Sequence, residues 1–127
     1  MHSVVLALAV WVSYLASLSV KYIFTRPRPL GSPLVPEDGF SFPSSHAAVS
    51  IALYGILMYF LISHFEKKRQ KIAVIFFGSA LILAIGASRI YLAVHWPSDV
   101  ISGYIFGGLW LAILIYLLRR QEAAAKS

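Results

Sequence analysis

Four stretches without a single charged side chain divide this chain of 127 residues: Ser3–Val20, Ala47–Ser63, Ile72–Ser88 and Val100–Leu118, of 18, 17, 17 and 19 residues. At a rise of about 1.5 Å per residue, roughly 20 helical residues cross a hydrocarbon core. Each stretch reaches that length once its flanks are added. Four buried helices of a soluble domain would be the alternative. They would need a polar coat, and a chain that is 59% apolar and 13% charged has too little polar sequence to supply one. The expected fold is therefore all-α, a polytopic bundle of four transmembrane helices. The first stretch lacks the basic leader and cleavage site of a signal peptide, so it reads as a retained helix. With no cysteine, disulfides, thiol nucleophiles and Cys-based zinc sites are excluded.

Between the stretches the chain is punctuated clearly. The first helix is expected over about Ser3 to Tyr22. Pro27, Pro29, Pro33, Pro36 and Pro43, with Gly31 and Gly39, then forbid a continuous helix over residues 25–43. The second helix starts near Ser44 or Ser45, either of which can cap its free amides, and ends near His64. A polar hairpin over residues 64–71 leads to a third helix from about Lys71 to Tyr91. The turn Val94-His-Trp-Pro97 leads to a fourth, with Pro97 suited to its first turn and Arg119-Arg120 at its end. Residues 1–120 form the unit. Residues 121–127 are a tail containing Glu-Ala-Ala-Ala-Lys, a common engineered helical spacer.

Antiparallel helices sort the charges into two ends. Lys67, Lys68, Arg69, Lys71, Arg119, Arg120 and Lys126 stand with Glu66 and Glu122 at one, giving net +5. Lys21, Arg26, Arg28 and Arg89 stand with Glu37, Asp38 and Asp99 at the other, giving net +1. The more basic end, which carries both termini, is expected to be cytoplasmic. The basic surplus is thus a topology signal, and nucleic acid is not an expected partner.

The outward end is also where the reactive side chains gather. The end of helix 1, the start of helix 2, the end of helix 3 and the start of helix 4 bring Lys21, Arg28, Ser44, His46, Arg89, His95 and Asp99 together. Ionisable residues at membrane depth are costly and mark function. Three cations suit a phosphate dianion, with Arg28 and Arg89 able to grip oxygens in pairs. The start of helix 2 adds free amides and the positive end of a dipole. Ser44 offers a hydroxyl. Two histidines allow one to attack and the other to donate a proton. Asp99, four residues after His95, can accept from one ring nitrogen and leave the other nucleophilic.

These residues lie in three motifs that resemble those of the type 2 phosphatidic acid phosphatase (PAP2) superfamily. Lys21-Tyr-Ile-Phe-Thr-Arg-Pro-Arg28-Pro29 matches Lys-x6-Arg-Pro. Pro43-Ser44-Ser45-His46 is similar to Pro-Ser-Gly-His. Ser88-Arg89-Ile-Tyr-Leu-Ala-Val-His95-Trp-Pro-Ser-Asp99 matches Ser-Arg-x5-His-x3-Asp. The resemblance covers residues 3 to 120. It implies metal-independent hydrolysis of a lipid phosphate monoester or pyrophosphate, without a cofactor. His95 would become a phosphohistidine, Asp99 would support it, and His46 would protonate the leaving oxygen. Lys21, Arg28, Ser44, Arg89 and the Ser45 amide would hold the phosphoryl oxygens. Implied substrates include phosphatidic acid, phosphatidylglycerol phosphate, diacylglycerol pyrophosphate and undecaprenyl pyrophosphate. The family's distribution and the compact chain point to a bacterial inner membrane, with the site facing the periplasm or exterior.

Two departures stand out. Ser45 replaces the family's glycine, which is strained if the backbone there needs a positive φ and otherwise adds a donor. Membrane members usually have six spanning helices, and the four here correspond to the last four, so the chain reads as lacking the first two. An inactive or truncated homologue that binds lipid phosphate without turnover is the alternative function. Vanadate-dependent haloperoxidases share the motif set but are larger and soluble.

Plainer roles compete at several positions. Arg26 and His64 read as interfacial residues, and Glu37 and Asp38 as solvated loop charges. Gly103-Tyr-Ile-Phe-Gly107 permits close helix approach, either within the chain or as the face of a homo-oligomer. Tyr22, Phe40, Phe42, Tyr91 and Trp96 suit an interfacial aromatic belt.

Overall fold

A computed structural model describes residues 2–29 and 33–125. Gly31 and Lys126, both used above, lie outside the described residues. The four expected helices are α1 (His2–Phe24), α2 (Ser45–His64), α3 (Lys68–Tyr91) and α4 (Pro97–Ala124). Each is long and apolar enough to cross a membrane. Two boundaries differ from expectation by three residues or more. Helix α3 starts three residues early, at Lys68, because Lys, Arg and Gln are good helix formers even where apolar sequence has ended. Helix α4 runs on through Ala124 rather than stopping at Arg120, since Gln-Glu-Ala-Ala offers nothing to break it.

Helix α2 is the central element. It packs on all three others, most extensively on α4, while α3 and α4 barely meet. At the end that holds both termini, Val5 and Ala9 of α1, Ala52 and Ile56 of α2, and Leu114 and Leu118 of α4 form the apolar core. Towards the other end small residues replace large ones: Ser13 and Ser17, Ala47, Ala48 and Ser50, Gly103 and Gly107 are all buried. Large side chains such as Trp11, Phe76, Phe77 and Leu109 point outward, as a lipid-facing surface requires.

The glycine stripe is filled from within the chain. A Cβ on Gly103 would lie 2.4 Å from the Ser44 carbonyl oxygen, and one on Gly107 would lie 2.2 Å from that of Ala48. The surface weighed above as a homo-oligomer face is therefore covered by α2. Gly108, one residue on, has only the flexible end of Ile51 at 3.7 Å.

The loop over residues 33–43 folds across the end of the bundle. The Ser41 N–H donates to the Arg26 carbonyl at 2.9 Å, and the Leu34 N–H to that of Leu92 at 3.2 Å. The Ser41 hydroxyl donates to the Pro27 carbonyl at 3.0 Å.

Gly107→Ala should destabilise the detergent-solubilised protein by about 1–3 kcal/mol, because backbone must move to admit the methyl group. Gly108→Ala should be nearly neutral. Thermal unfolding of both variants checks this, and equal Tm shifts would remove the proposed role of the stripe.

Candidate active site

Helix ends deliver the polar residues to one place. Lys21, Arg28, Ser45, His46 and His95 all line one cavity of about 410 Å³, together with Glu37. Glu37, His46 and His95 each offer a ligating atom within 4.8 Å of the others. A ring nitrogen of His46 thus lies within that distance of one of His95, although the two residues come from different helix ends.

The histidines differ in environment. His46, in the first turn of α2, has a half-exposed side chain, with Nδ1 3.9 Å from Glu37 Oε1. His95 is 2% exposed and sits in the turn before α4. That turn is shaped by Ala93 at φ +56°, a left-handed conformation that costs a non-glycine residue about 1 kcal/mol. The N–H groups of Val94 and His95 both donate to the Arg89 carbonyl at 3.3 Å. Burial, then the positive charges of Lys21 and Arg28, push the His95 pKa down to about 4. Its ring is therefore neutral near pH 7.

Asp99 is wholly buried. Its Oδ2 lies 3.7 Å from His95 Nδ1, too long for a hydrogen bond. Its short bonds go elsewhere. Oδ2 accepts from the Trp96 N–H at 2.8 Å, and Oδ1 from Arg26 Nη1 at 2.7 Å. Asp99 thus caps α4 and faces His95 at once. Its carbonyl also accepts from the Ser44 N–H at 2.9 Å, which ties the start of α2 to the start of α4.

The two serines divide the roles foreseen for them. Ser44 is fully buried, and its Oγ accepts from the Ala47 N–H at 3.4 Å, so it caps α2 and is not a wall of the cavity. Ser45 opens the helix in ordinary helical backbone, outside the positive-φ positions Thr25, Ala93 and Gly39. No positive φ is demanded where the family glycine would stand. The Ser45 hydroxyl has no hydrogen-bond partner among the described residues.

The cations differ too. Lys21 Nζ donates to the Phe40 carbonyl at 2.7 Å. Arg28 donates to the carbonyls of Gly39 (3.1 Å), Asp38 (2.8 Å) and Val94 (2.8 Å), which locks the loop to the His95 turn. Two of the guanidinium's five N–H groups remain. Arg89 stands at the end of α3 with Nε 3.3 Å from Ser88 Oγ and does not line the cavity.

Two functional candidates escaped the sequence reading. Glu37, read as a solvated loop charge, faces both His46 and Arg28, the latter at 3.8 Å. Arg26, read as an interfacial residue, is the ion partner of Asp99. The loop that carries Glu37 follows no helical or strand period, so only the acidic side chain beside the second motif hinted at it. For Arg26 the sole signal was its place inside the first motif. Glu37, His46 and His95 could in number and type ligate a metal. The charges of Lys21 and Arg28 in the same cavity favour an anion instead.

A second, apolar groove of about 660 Å³ begins at the same wall. It shares Tyr14, Ser45 and His46 with the polar cavity and continues past Val49, Leu53 and Tyr54, about 12 Å along α2. Its other sides are Trp11 of α1 and Ile85 of α3.

The PAP2 superfamily model matches residues 2–123. The chain is 37% identical over 103 residues to phosphatidylglycerophosphatase B of Bacillus subtilis, covering 80% of this chain and 48% of that protein. It is 37% identical over 89 residues to lipid A 4'-phosphatase of Bacteroides thetaiotaomicron, covering 70% of this chain and 36% of that one. The crystal structure of a transmembrane PAP2-type phosphatidylglycerolphosphate phosphatase from Bacillus subtilis superposes with a TM-score of 0.86 at 30% identity, over 92% of this chain and 59% of the other. The chain spans about half or less of the length of these two curated relatives. Four membrane-length helices and a membrane-embedded structural neighbour make it an integral membrane protein. On these grounds, and with its motifs gathered at one end of the bundle, the chain belongs to the PAP2 superfamily.

Proposed function

We propose that this protein hydrolyses a lipid phosphate monoester or pyrophosphate through a phosphohistidine at His95. The observation that carries the reading is the convergence of His46 and His95, ring nitrogens within 4.8 Å, on a cavity walled by Lys21 and Arg28. The relatives named as phosphatidylglycerophosphatase B and lipid A 4'-phosphatase act on phosphorylated lipids, and the groove beside His46 suits an acyl or prenyl chain.

In the proposed mechanism the headgroup phosphate lies against Lys21, the free N–H groups of Arg28 and the Ser45 hydroxyl and amide, with Arg89 adding charge from the end of α3. Ser44 contributes by fixing the first turn of α2. The neutral His95 ring attacks phosphorus through Nε2, while Nδ1–H turns toward Asp99. The 3.7 Å separation shortens to a hydrogen bond as the ring becomes cationic, a tightening common once substrate binds. The bond from phosphorus to the lipid oxygen breaks, and His46, entering the cycle as the imidazolium, gives that oxygen a proton. A water then gives His46 its proton and attacks phosphorus, the P–N bond breaks, and inorganic phosphate leaves. Proton traffic at His46 takes place beside the Glu37 carboxylate. By the distribution of cations the site faces the periplasm or exterior of a bacterial inner membrane, with both termini cytoplasmic.

Phosphate release from vesicles carrying phosphatidic acid, phosphatidylglycerol phosphate or undecaprenyl pyrophosphate tests the reading. His95→Ala should lower kcat by roughly 10³-fold or more, and His46→Ala by roughly 10²–10⁴-fold. Unchanged release in both variants would refute the mechanism. Binding without release by the unaltered protein would favour the inactive-homologue reading. Activity should persist in excess chelator, and loss reversed by added metal would point to Glu37, His46 and His95 as ligands.

A pH titration of the His95 imidazole by nitrogen-15 NMR should find it neutral from pH 8 down to about 5, protonating near 4. Because the folded pKa lies below the unfolded value of about 6.5, this residue's contribution to stability is complete above pH 6.5. That contribution is lost as pH falls towards 4. A midpoint at or above 6.5 would contradict the burial and charge effects described.

A further inference from the structure

Arg26 lies outside the residues to which the three motifs assign a role, yet it makes the shortest contact with Asp99. Its Nη1 donates to Asp99 Oδ1 and to Ser98 Oγ, both at 2.7 Å. The guanidinium carbon stands 5.5 Å from the centroid of the Trp96 ring, within cation–π range. Trp96 Nε1 in turn donates to the Pro27 carbonyl at 3.2 Å. Arg26 and Pro27 are therefore bound to Trp96, Ser98 and Asp99 at four points. This clamp joins the loop after α1 to the first turn of α4, across about 70 residues of chain.

The clamp acts on a carboxylate with two inequivalent oxygens. Oδ1 is taken by Arg26, while Oδ2 faces the Trp96 N–H and His95 Nδ1. A partial turn of the carboxylate about its bond to Cβ would swing Oδ2 away from His95 Nδ1. The short Arg26 bond opposes that rotation, and the cation offsets the charge of a carboxylate with no exposure to solvent. An interfacial anchor would need neither the stacking on Trp96 nor the bond to a buried acid.

We propose that Arg26 is a positioning residue for the reaction. By holding Oδ1 it keeps the negative charge of Oδ2 facing Nδ1 at 3.7 Å, which favours the His95 proton on Nδ1 and leaves Nε2 free to attack. The proposal rests on the phosphohistidine reading, but one arm of its test does not depend on turnover. With nitrogen-15 histidine, the His95 resonances of the unaltered protein should show the Nδ1–H tautomer, and Arg26→Met should shift them toward a mixture of the two. In phosphate-release assays the same variant should lose kcat by about tenfold or more with KM within about twofold, the scale expected when an outer partner orienting a working histidine is removed. Added guanidinium should restore part of the rate to Arg26→Ala. Arg120→Met, which removes a cation at the opposite end, serves as the comparison and should leave the tautomer and kcat unchanged.

An unaltered His95 tautomer in Arg26→Met overturns the proposal, as does a raised KM with kcat intact, which is the signature of an anchor or a headgroup contact. Should Arg26→Met fail to fold, Arg26→Lys decides. It keeps the charge but not the planar group stacked on Trp96, and should lower kcat several-fold at constant KM, while unaltered kcat and tautomer would overturn the idea. Absence of phosphate release from the unaltered protein would defeat the functional reading and leave the tautomer measurement to judge Arg26.

Discussion

Everything at the polar end of this bundle depends on how closely α2 can approach α4. Lipid supplies little hydrophobic drive for one apolar helix to leave it for another, so packing must come from close backbone approach. Gly103 and Gly107 allow it by having no side chain where the Ser44 and Ala48 carbonyls sit. The closeness also lets the Ser44 N–H reach the Asp99 carbonyl, so the first turns of the two helices are pinned together. His46 lies within one of these turns and His95 precedes the other. The relative placement of the two histidines is thus set by backbone contacts, which are stiffer than side-chain contacts.

Charge at this end is arranged in layers. Asp99 lies deepest, and an uncompensated buried carboxylate would cost about 3–5 kcal/mol. Arg26 and the Trp96 N–H answer it. Above it His95 stays neutral, under the influence of burial, Lys21 and Arg28. Higher still, Lys21 and Arg28 share the cavity with two acidic residues, Glu37 and Asp38. At His95 the charges of Lys21 and Arg28 outweigh that of Glu37, while the Asp99 oxygens beneath are held by Arg26 and the Trp96 N–H.

The spans were legible in the sequence because transfer into lipid is a property of each segment by itself. The site was legible because an up-down helix order turns sequence positions into neighbours, so four helix ends sufficed to gather Lys21, His46, His95 and Asp99. What stayed hidden depends on details that period and composition do not encode. The division between Ser44 and Ser45 is a matter of helix phase, about 100° per residue, which decides that one caps and the other faces the cavity. Glu37 and Arg26 lie in irregular segments whose path is fixed by bonds such as Ser41 to Arg26 and Arg28 to Asp38, Gly39 and Val94. The glycine stripe was recognised, but sequence alone left open which helix it would meet. Helix ends were misjudged at Lys68 and Ala124 because helix propensity outlasts hydrophobicity there.

The apolar groove beside His46 leaves the polar cavity sideways, between helices, and not upward through the loop that Arg28 ties down. A catalyst supplied by such a side door samples a two-dimensional reservoir. Its turnover would follow the surface fraction of its lipid in one leaflet and the speed of lateral diffusion, while dilution of the surrounding aqueous phase would leave the rate untouched.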